Sequence, residues 1–176
     1  MPETIKQGKQ PRKDFCLFYS PADETLELIG KGIEELSIEQ GAEINTVKDV
    51  TGSNDTSLDA YEKTTALDPI YVAGGNKFSE KLDEIEEKEL IGDDVILDFV
   101  WAKLYKTTEE SKVRAWKQKA VVELTSFGGD IKGVNAPCTL HWIGERTYGT
   151  LDPSTKQFTP DSAAAAAAFK AAKAKQ

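Results

Sequence analysis

Residues 119–130 read KAVVELTSFGGD, and residues 139–151 read TLHWIGERTYGTL. The first stretch predicts a β-strand over residues 119–127, because β-branched and aromatic residues favour strands. The strand is expected to end in a turn at Gly128-Gly129-Asp130, where glycine supplies the backbone freedom that turns require. These two stretches therefore indicate a protein built mainly of antiparallel sheet.

The second stretch contains a glycine that divides it into two parts. Residues 139–143 and 146–151 each have strand character, and Gly144-Glu145 stands between them. A glycine at the first of two central residues is typical of a type II′ turn. The pattern therefore predicts a tight hairpin at Gly144-Glu145.

The size and charge of the chain exclude several classes of protein. A length of 176 residues suits one domain with a single core. A formal net charge of -8 and a pI near 4.8 argue against a protein that grips phosphates with clustered Lys and Arg. No run approaches the roughly 18 apolar residues of a membrane span, and the N-terminus has no apolar segment behind its charges. The sequence predicts a soluble protein that is not exported.

The chain divides by composition into an arm, a β-domain and a tail. The arm and the tail hold too few large apolar residues to bury a core of their own, and a polar tip at residues 51–57 indicates a protruding segment. Within the domain, further short strands are expected at residues 25–29, 36–40 and 44–50. The predicted parts are a flexible N-terminal arm (1–13), a β-domain (14–151) with a protruding loop or hairpin (about 44–67) and a helix (about 77–90), and a C-terminal extension (152–176) that is an Ala-rich helix or disordered.

Periodicity distinguishes the one central helix from the strand that follows it. Phe78, Leu82 and Ile85 follow helical spacing, with Asn76 or Ser79 available as the N-cap. Three apolar residues make a narrow stripe, so this helix is expected on the outside of a sheet. Residues 95–102 then alternate, which predicts a central strand whose odd-numbered face lies in the core.

The inventory of reactive side chains predicts no catalytic, metal or cofactor site. His141 is the sole histidine, and it has no second histidine or thiol at metal-ligand spacing. Cys16 and Cys138 lie in or beside apolar segments, so both are predicted to be buried free thiols. Adjacent carboxylates such as Asp93-Asp94 point in different directions and do not form an acid and base pair. The sequence therefore predicts that the protein is not an enzyme.

Three stretches resemble a known family: VELTSFGGD at residues 122–130, TLHWIGER at 139–146 and GTLD at 149–152. They look like the C-terminal half of the major tail (tail tube) proteins of long-tailed bacteriophages. The order of parts agrees as well, from a basic arm through early strands, a polar loop and an acidic helix to the closing strands. The resemblance spans about residues 14–158.

The resemblance implies a mainly-β fold, a β-sandwich or partly open barrel with one flanking α-helix. It implies subunits that assemble into stacked, usually hexameric rings around a DNA channel in the virion tail, with assembly in the cytoplasm of the host bacterium. The implied partners are other copies of the chain and the tape measure, tail terminator and distal tail proteins. DNA would pass through the lumen without specific binding, and no membrane span is implied.

The resemblance also suggests which residues face the lumen and which face neighbouring subunits. Polar residues that alternate with Leu36 and Ile38 are expected to give the lumen negative charge, which repels DNA phosphates. The expected lumen-facing acids are Glu35, Glu39 and Asp49. The expected inter-subunit loop contains Thr51, Ser53, Asn54, Asp55 and Thr56. The arm (1–13), the loop (51–59) and the tail (152–176) would gain order by packing on a neighbour; the alternative is that all three are disordered surface.

Two other classes of protein remain open at this point. One is a monomeric immunoglobulin-like or carbohydrate-binding β-domain, in which exposed aromatics such as Trp116 or Tyr148 would form the binding platform. The other is a small β-rich enzyme. The enzyme ranks last, because no nucleophile, base and orienting group can be assembled from these residues.

Overall fold

The computed structural model describes residues 4–22, 25–48, 50–108 and 111–162. These residues form twelve β-strands, one α-helix and two short 3₁₀ helices. The strands are β1 (Thr4–Ile5), β2 (Phe15–Tyr19), β3 (Glu27–Ile29), β4 (Ala42–Lys48), β5 (Asn54–Tyr61), β6 (Thr64–Leu67), β7 (Ile96–Thr107), β8 (Val113–Leu124), β9 (Gly128–Asp130), β10 (Gly133–Asn135), β11 (Cys138–Asp152) and β12 (Gln157–Pro160). The helices are α1 (Lys77–Glu87) and the 3₁₀ helices Arg12–Asp14 and Gly92–Val95.

One antiparallel sheet of eight strands dominates the fold. Its order is β12-β11-β8-β7-β2-β3, with β1 added to β7 and β6 added to β11. The sheet curls into a half-barrel, and two small sheets, β4-β5 and β9-β10, lie outside it. The prediction of a mainly-β fold with one flanking helix is confirmed.

Both faces of β7 are buried, in two separate apolar clusters. Leu97, Phe99 and Trp101 belong to the larger cluster, as the alternating pattern predicted. Val100 and Ala102 point the other way, into a second cluster that the sequence did not predict. This second cluster contains Phe18, Leu26, Val100, Ala102, Val113, Ala115 and Leu151. Beside it, the backbone N–H of Leu26 donates to the carbonyl of Lys156 at 3.4 Å, so the two sides of the curled sheet meet there.

Helix α1 covers the larger cluster. Its N-cap is Asn76, whose Oδ1 accepts a hydrogen bond from the backbone N–H of Ser79 at 2.8 Å. Phe78, Leu82 and Ile85 are all buried, which makes the apolar stripe the packed face of the helix. Ser79 is buried as well, whereas Lys77, Glu80, Asp83, Glu86 and Glu87 are exposed to solvent.

The predicted hairpin at Gly144-Glu145 is wrong, because β11 runs without a turn from Cys138 to Asp152. Ile143 pairs with Lys119 and Thr147 pairs with Lys117, so β11 carries extra residues at this point and bulges. Gly144 has a φ of 66°. A glycine in this conformation serves a β-bulge as well as a turn, and the long-range pairing with β8 decides between them.

The arm and the tail also differ from their predicted boundaries. Residues 4–5 pair with the end of β7, and the 3₁₀ helix Arg12–Asp14 follows, so the described arm lies against its own sheet. The C-terminal extension was expected from residue 152, yet β12 pairs with β11 over Gln157–Pro160. Arg114 and Asp161 then form an ion pair at 2.8 Å. The predicted Ala-rich helix falls on residues 163–176, outside the described part of the chain.

Candidate assembly surface

The β4-β5 hairpin is exposed along its whole length. All seven residues of β4 and all eight residues of β5 are solvent-exposed, and the two strands pair only with each other. A two-stranded hairpin on its own is marginally stable at best in water. The hairpin is therefore a segment that gains stability when another surface covers it.

The two faces of this hairpin differ in character. Ile44 lies directly opposite Leu58, and Ala42 lies opposite Tyr61, so these side chains share one face. The exposed fractions of Ile44, Leu58 and Tyr61 are 64%, 49% and 52%. We call this the apolar face of the hairpin. The opposite face, called the polar face, carries Glu43, Asn45, Asp55 and Ser57 together with two apolar residues, Ala60 and Val47, of which Val47 is 56% exposed.

The predicted inter-subunit residues lie at the tip and in the first part of β5. Thr51 and Ser53 occupy the turn, where their hydroxyl oxygens are 3.5 Å apart. Asn54, Asp55 and Thr56 begin β5, opposite Lys48, Val47 and Thr46 respectively. The structure thus places all five residues on the exposed end of one hairpin.

A glycine fixes the base of the hairpin. The N–H of Glu62 donates to the carbonyl of Gly41 at 2.9 Å, and Gly41 has a φ of 50°. A Cβ atom at Gly41 would collide with the carbonyl oxygen of Glu62. Beyond this junction the N–H of Trp142 donates to the carbonyl of Lys63 at 3.0 Å, which ties the hairpin base to the main sheet.

Two of the three predicted lumen acids lie on one irregular segment. Glu35 and Glu39 are exposed and Leu36 is buried, while Ser37 and Ile38 are both half-buried. The predicted strand at 36–40 is wrong, since only a single bridge from Glu39 to Thr64 forms there. The positive φ angles of Gly32 (87°) and Gly41 break the extended backbone on both sides. Asp49 lies outside the described residues.

The reactive side chains do not form a catalytic arrangement. His141 Nε2 lies 2.6 Å from Glu123 Oε2, and among the described residues no third group joins this pair to form a nucleophile, a base and an orienting group. Within the described ranges no group of three metal-ligating side chains occurs. Burial raises the pKa of Cys138 to about 12, and burial also raises the pKa of the half-buried Cys16. Both cysteines are free and hold their protons at neutral pH, which makes them poor nucleophiles.

The aromatic platform of the carbohydrate-binding alternative is contradicted at Trp116. This side chain is only 4% exposed and lies in the larger apolar cluster, between the cations of Lys103 and Arg146. Tyr148 is half-buried and lies beside it, with ring centroids 6.5 Å apart. Neither ring presents the open apolar surface on which a sugar stacks.

A groove of about 610 Å³ lies where β12 meets the loop after β2. Tyr19, Leu26 and Phe158 supply its apolar lining. Its two paired charges are Asp98 and Lys117, whose side chains form an ion pair at 3.1 Å. Because these charges neutralise each other, the groove offers no free acid and base pair.

Comparison with known proteins adds no relative. A scan against models of protein families found no match, and a search of curated proteins found no similar sequence.

Within the described parts of the chain, no helix combines the length and apolar character that a bilayer crossing requires.

The sequence did not reveal the apolar face of the hairpin. Ile44 lies on a different strand from Leu58 and Tyr61, and a one-residue irregularity between Glu43 and Ile44 shifts the pairing. Only this register brings Tyr61 to the face that holds Leu58. The one local signal for this face was that Ala42 and Ile44, on either side of Glu43, are both apolar.

Proposed function

We propose that this chain is a structural subunit that assembles with copies of itself into the tail tube of a long-tailed bacteriophage. The β4-β5 hairpin is the observation that carries the proposal. The hairpin protrudes from a body made mainly of sheet, whose described residues form no catalytic arrangement. No other part of the described chain covers the apolar face of the hairpin.

The energetics of that face favour a protein partner. Fully burying a side chain such as Ile or Leu contributes about 1.5–3 kcal/mol relative to leaving it in water. Ile44, Leu58 and Tyr61 together form one patch that such a partner would cover. The strands also carry paired threonines, with Thr46 Oγ1 and Thr56 Oγ1 at 3.3 Å, which suit a surface that is flat and only partly apolar.

The main sheet offers open edges as further contacts. β3 ends the sheet on one side and β12 ends it on the other, so apart from the hydrogen bond between Leu26 and Lys156 beside them, each has one backbone edge without a strand in the described chain. Unpaired edges are templates for pairing with another chain. A heterologous contact of this kind closes into a ring or propagates into a filament, so a single type of subunit suffices to build stacked, hexameric rings.

The remaining parts of the proposal follow the family resemblance. The tube is the conduit for DNA ejection into the host, and DNA passes through it without specific binding. Glu35 and Glu39 are proposed to face the lumen, where their charge keeps phosphates from adhering. Tape measure, tail terminator and distal tail proteins are the proposed partners, the virion tail is the proposed location, and assembly takes place in the bacterial cytoplasm.

Two matched variants of the hairpin test the proposal. Ile44→Lys with Leu58→Asp places an opposite-charge pair on the apolar face, and Asn45→Lys with Ser57→Asp places the same pair on the polar face. Both pairs are directly opposite across the strands, so both retain a favourable cross-strand contact. We expect the wild-type protein and the polar-face variant to form rings or tubes in negative-stain micrographs at high concentration, and the apolar-face variant to remain as small particles.

Three results are informative in this comparison. Circular dichroism should be the same for the three proteins, because neither change touches the core. If both variants assemble equally well, the apolar face has no role in assembly. A wild-type protein that stays monomeric at every concentration and with every tail partner tried would contradict the proposed function itself.

A further inference from the structure

The two ends of the main sheet differ in charge. Ile96, the first residue of β7, pairs with Val121 near the end of β8, and Thr107, the last residue of β7, pairs with Val113 at the start of β8. Two ends can therefore be defined along this strand pair. The end at Ile96 is called the acidic end, and the end at Thr107 is called the basic end.

The acidic end is formed by the segment that leads from α1 into β7. Five acids of this segment are exposed, and the only cation between residues 86 and 94 is Lys88, which is bound to Glu84 at 2.8 Å. The 3₁₀ helix Gly92–Val95 joins this segment directly to Ile96. The exposed acids are Glu86, Glu87, Glu89, Asp93 and Asp94.

The basic end is formed by the arm and by the adjoining parts of β7 and β8. Ile5 pairs with Lys106, and the N–H of Lys6 donates to the carbonyl of Tyr105 at 3.0 Å, so the arm runs alongside the end of β7. The cations here are Lys6, Lys9, Arg12, Lys13, Lys103, Lys106, Lys112 and Arg114.

Acids offset these cations in part, and one of them is Asp152, which ends β11 beside Leu151, the partner of Val113. Asp14 pairs with Lys6 at 3.5 Å and Asp161 pairs with Arg114 at 2.8 Å. Glu109 and Glu110, between β7 and β8 in the sequence, lie outside the described residues. The cations outnumber the acids even when both of these glutamates are counted, so the end is basic.

Each end also carries exposed apolar side chains. Ile91 is 82% exposed within the acidic segment, and Ile131, in the turn between β9 and β10 that follows the end of β8, is 103% exposed. At the basic end Ile5 is 55% exposed. Apolar centres with a charged rim are the usual anatomy of a protein interface.

We propose that the acidic end of one copy docks on the basic end of a second copy. The inference rests on the proposed function and names the two surfaces that meet when subunits stack. Because the two surfaces are different, the contact is heterologous, and each docked copy presents a new free end of each kind. Because the two surfaces lie at opposite ends of β7, repeated docking propagates in the direction of that strand.

The charges give this contact direction and salt dependence. Opposite potentials steer the two ends together, whereas two acidic ends or two basic ends repel. Screening shortens the range of these forces from about 10 Å at 0.1 M salt to about 3 Å at 1 M. We therefore expect stacking to weaken as salt is raised.

Charge reversal at each end provides the test. Glu89→Lys with Asp93→Lys and Asp94→Lys reverses the charge of the acidic end, so that both ends are basic, and Lys9→Glu with Arg12→Glu and Lys13→Glu reverses the charge of the basic end, so that both ends are acidic. Each variant alone should need about tenfold or more protein than the wild type to assemble at low salt, measured by sedimentation velocity. An equimolar mixture of the two variants should assemble again, because each acidic end then meets a basic one.

A matched control separates the position of the charge from its amount. Glu34→Lys with Asp83→Lys and Glu145→Lys makes the same change in net charge as the acidic-end variant at three exposed residues that belong to neither end, and it should assemble as the wild type does. The proposal is overturned if both end variants assemble normally while the wild type forms tubes, and that result leaves the proposed function standing. It is also overturned if the mixture fails to assemble although both variants keep the wild-type circular dichroism spectrum.

Discussion

Gln118 holds Gly144 in the bulge of β11 through a hydrogen bond of 3.2 Å from its Nε2 to the glycine carbonyl. The same amide accepts a hydrogen bond from Arg146 Nε at 3.1 Å. Gln118 is only 8% exposed, so it satisfies the bulged backbone from within the core. One side chain of β8 therefore replaces the ladder hydrogen bonds that the bulge interrupts.

Gln118→Leu should lower the free energy of unfolding by about 1–3 kcal/mol, because it removes the hydrogen bond to the Gly144 carbonyl and the one from the charged Arg146 guanidinium. Urea denaturation followed by tryptophan fluorescence measures the change. Lys119→Leu, at the exposed neighbouring position, should change stability by less than about 0.5 kcal/mol. Equal losses in the two variants would show that the Gln118 amide does not support the bulge.

Gly41→Ala should loosen the base of the β4-β5 hairpin and impair assembly. The change places a Cβ against the Glu62 carbonyl and also forces alanine into a left-handed backbone conformation. Gly52→Ala is the matched control, because Gly52 has a φ of 85° but has open space around its Cβ position. Hydrogen exchange of the β4 and β5 amides should be faster in Gly41→Ala than in Gly52→Ala, and similar rates would contradict the prediction.

The stability of α1 should depend on pH through Glu84. Hydrogen bonds from Lys81 and Lys88, each at 2.8 Å, lower the pKa of Glu84 from 4.5 to about 2. Because the folded pKa is the lower one, the stabilising contribution is present above about pH 4.5 and is lost as the pH falls toward 2. The effect is expected to be small, since exposed ion pairs are screened by solvent.

Replacing both Lys81 and Lys88 by Met should flatten this part of the pH profile of the unfolding temperature. Replacing Lys9 and Lys31, which are both exposed, by Met removes the same charge elsewhere and should leave the profile unchanged. A profile that keeps its slope in the first variant would show that Glu84 does not titrate as expected.

Glu35→Lys with Glu39→Lys tests the proposed lumen. If these exposed residues face the channel, tubes should still form but should retain DNA, so virions that carry the variant should deliver DNA less efficiently. Glu35→Gln with Glu39→Gln, which removes the negative charge without adding positive charge, should have a weaker effect. Normal delivery by the Lys variant, with assembly intact, would remove both residues from the lumen.

The sequence was sufficient where a local signal determines the structure. The spacing of Phe78, Leu82 and Ile85 predicted α1, because all residues of its packed face lie within one short stretch of the sequence. The alternation around Phe99 and Trp101 predicted the core face of β7 for the same reason. The mainly-β class followed from these local patterns.

The sequence was not sufficient where distant pairing decides between two structures. Gly144 suits a turn or a bulge, and only the pairing of Ile143 and Thr147 with β8 selects the bulge. The arm and β12 have little apolar content, yet both find backbone partners on strands far away in the chain. Composition alone does not report such partners.

The sequence indicated an exposed segment at the candidate surface, but it did not indicate that one face of the hairpin is apolar. Asp55 and Thr56 indicated a protruding polar segment, and the structure places both in the exposed β5 strand. The apolar pairing of Ile44 with Leu58 depends on strand register, which the loop sequence does not specify.

The apolar face of the β4-β5 hairpin, which no described residue covers, affects how the newly synthesised monomer begins to assemble. An exposed apolar face favours nonspecific aggregation. A formal net charge of -8 gives long-range repulsion between dilute molecules, which opposes this aggregation. Polymerisation should therefore begin only after a lag, once a nucleus orients the first few chains, and it should then elongate rapidly.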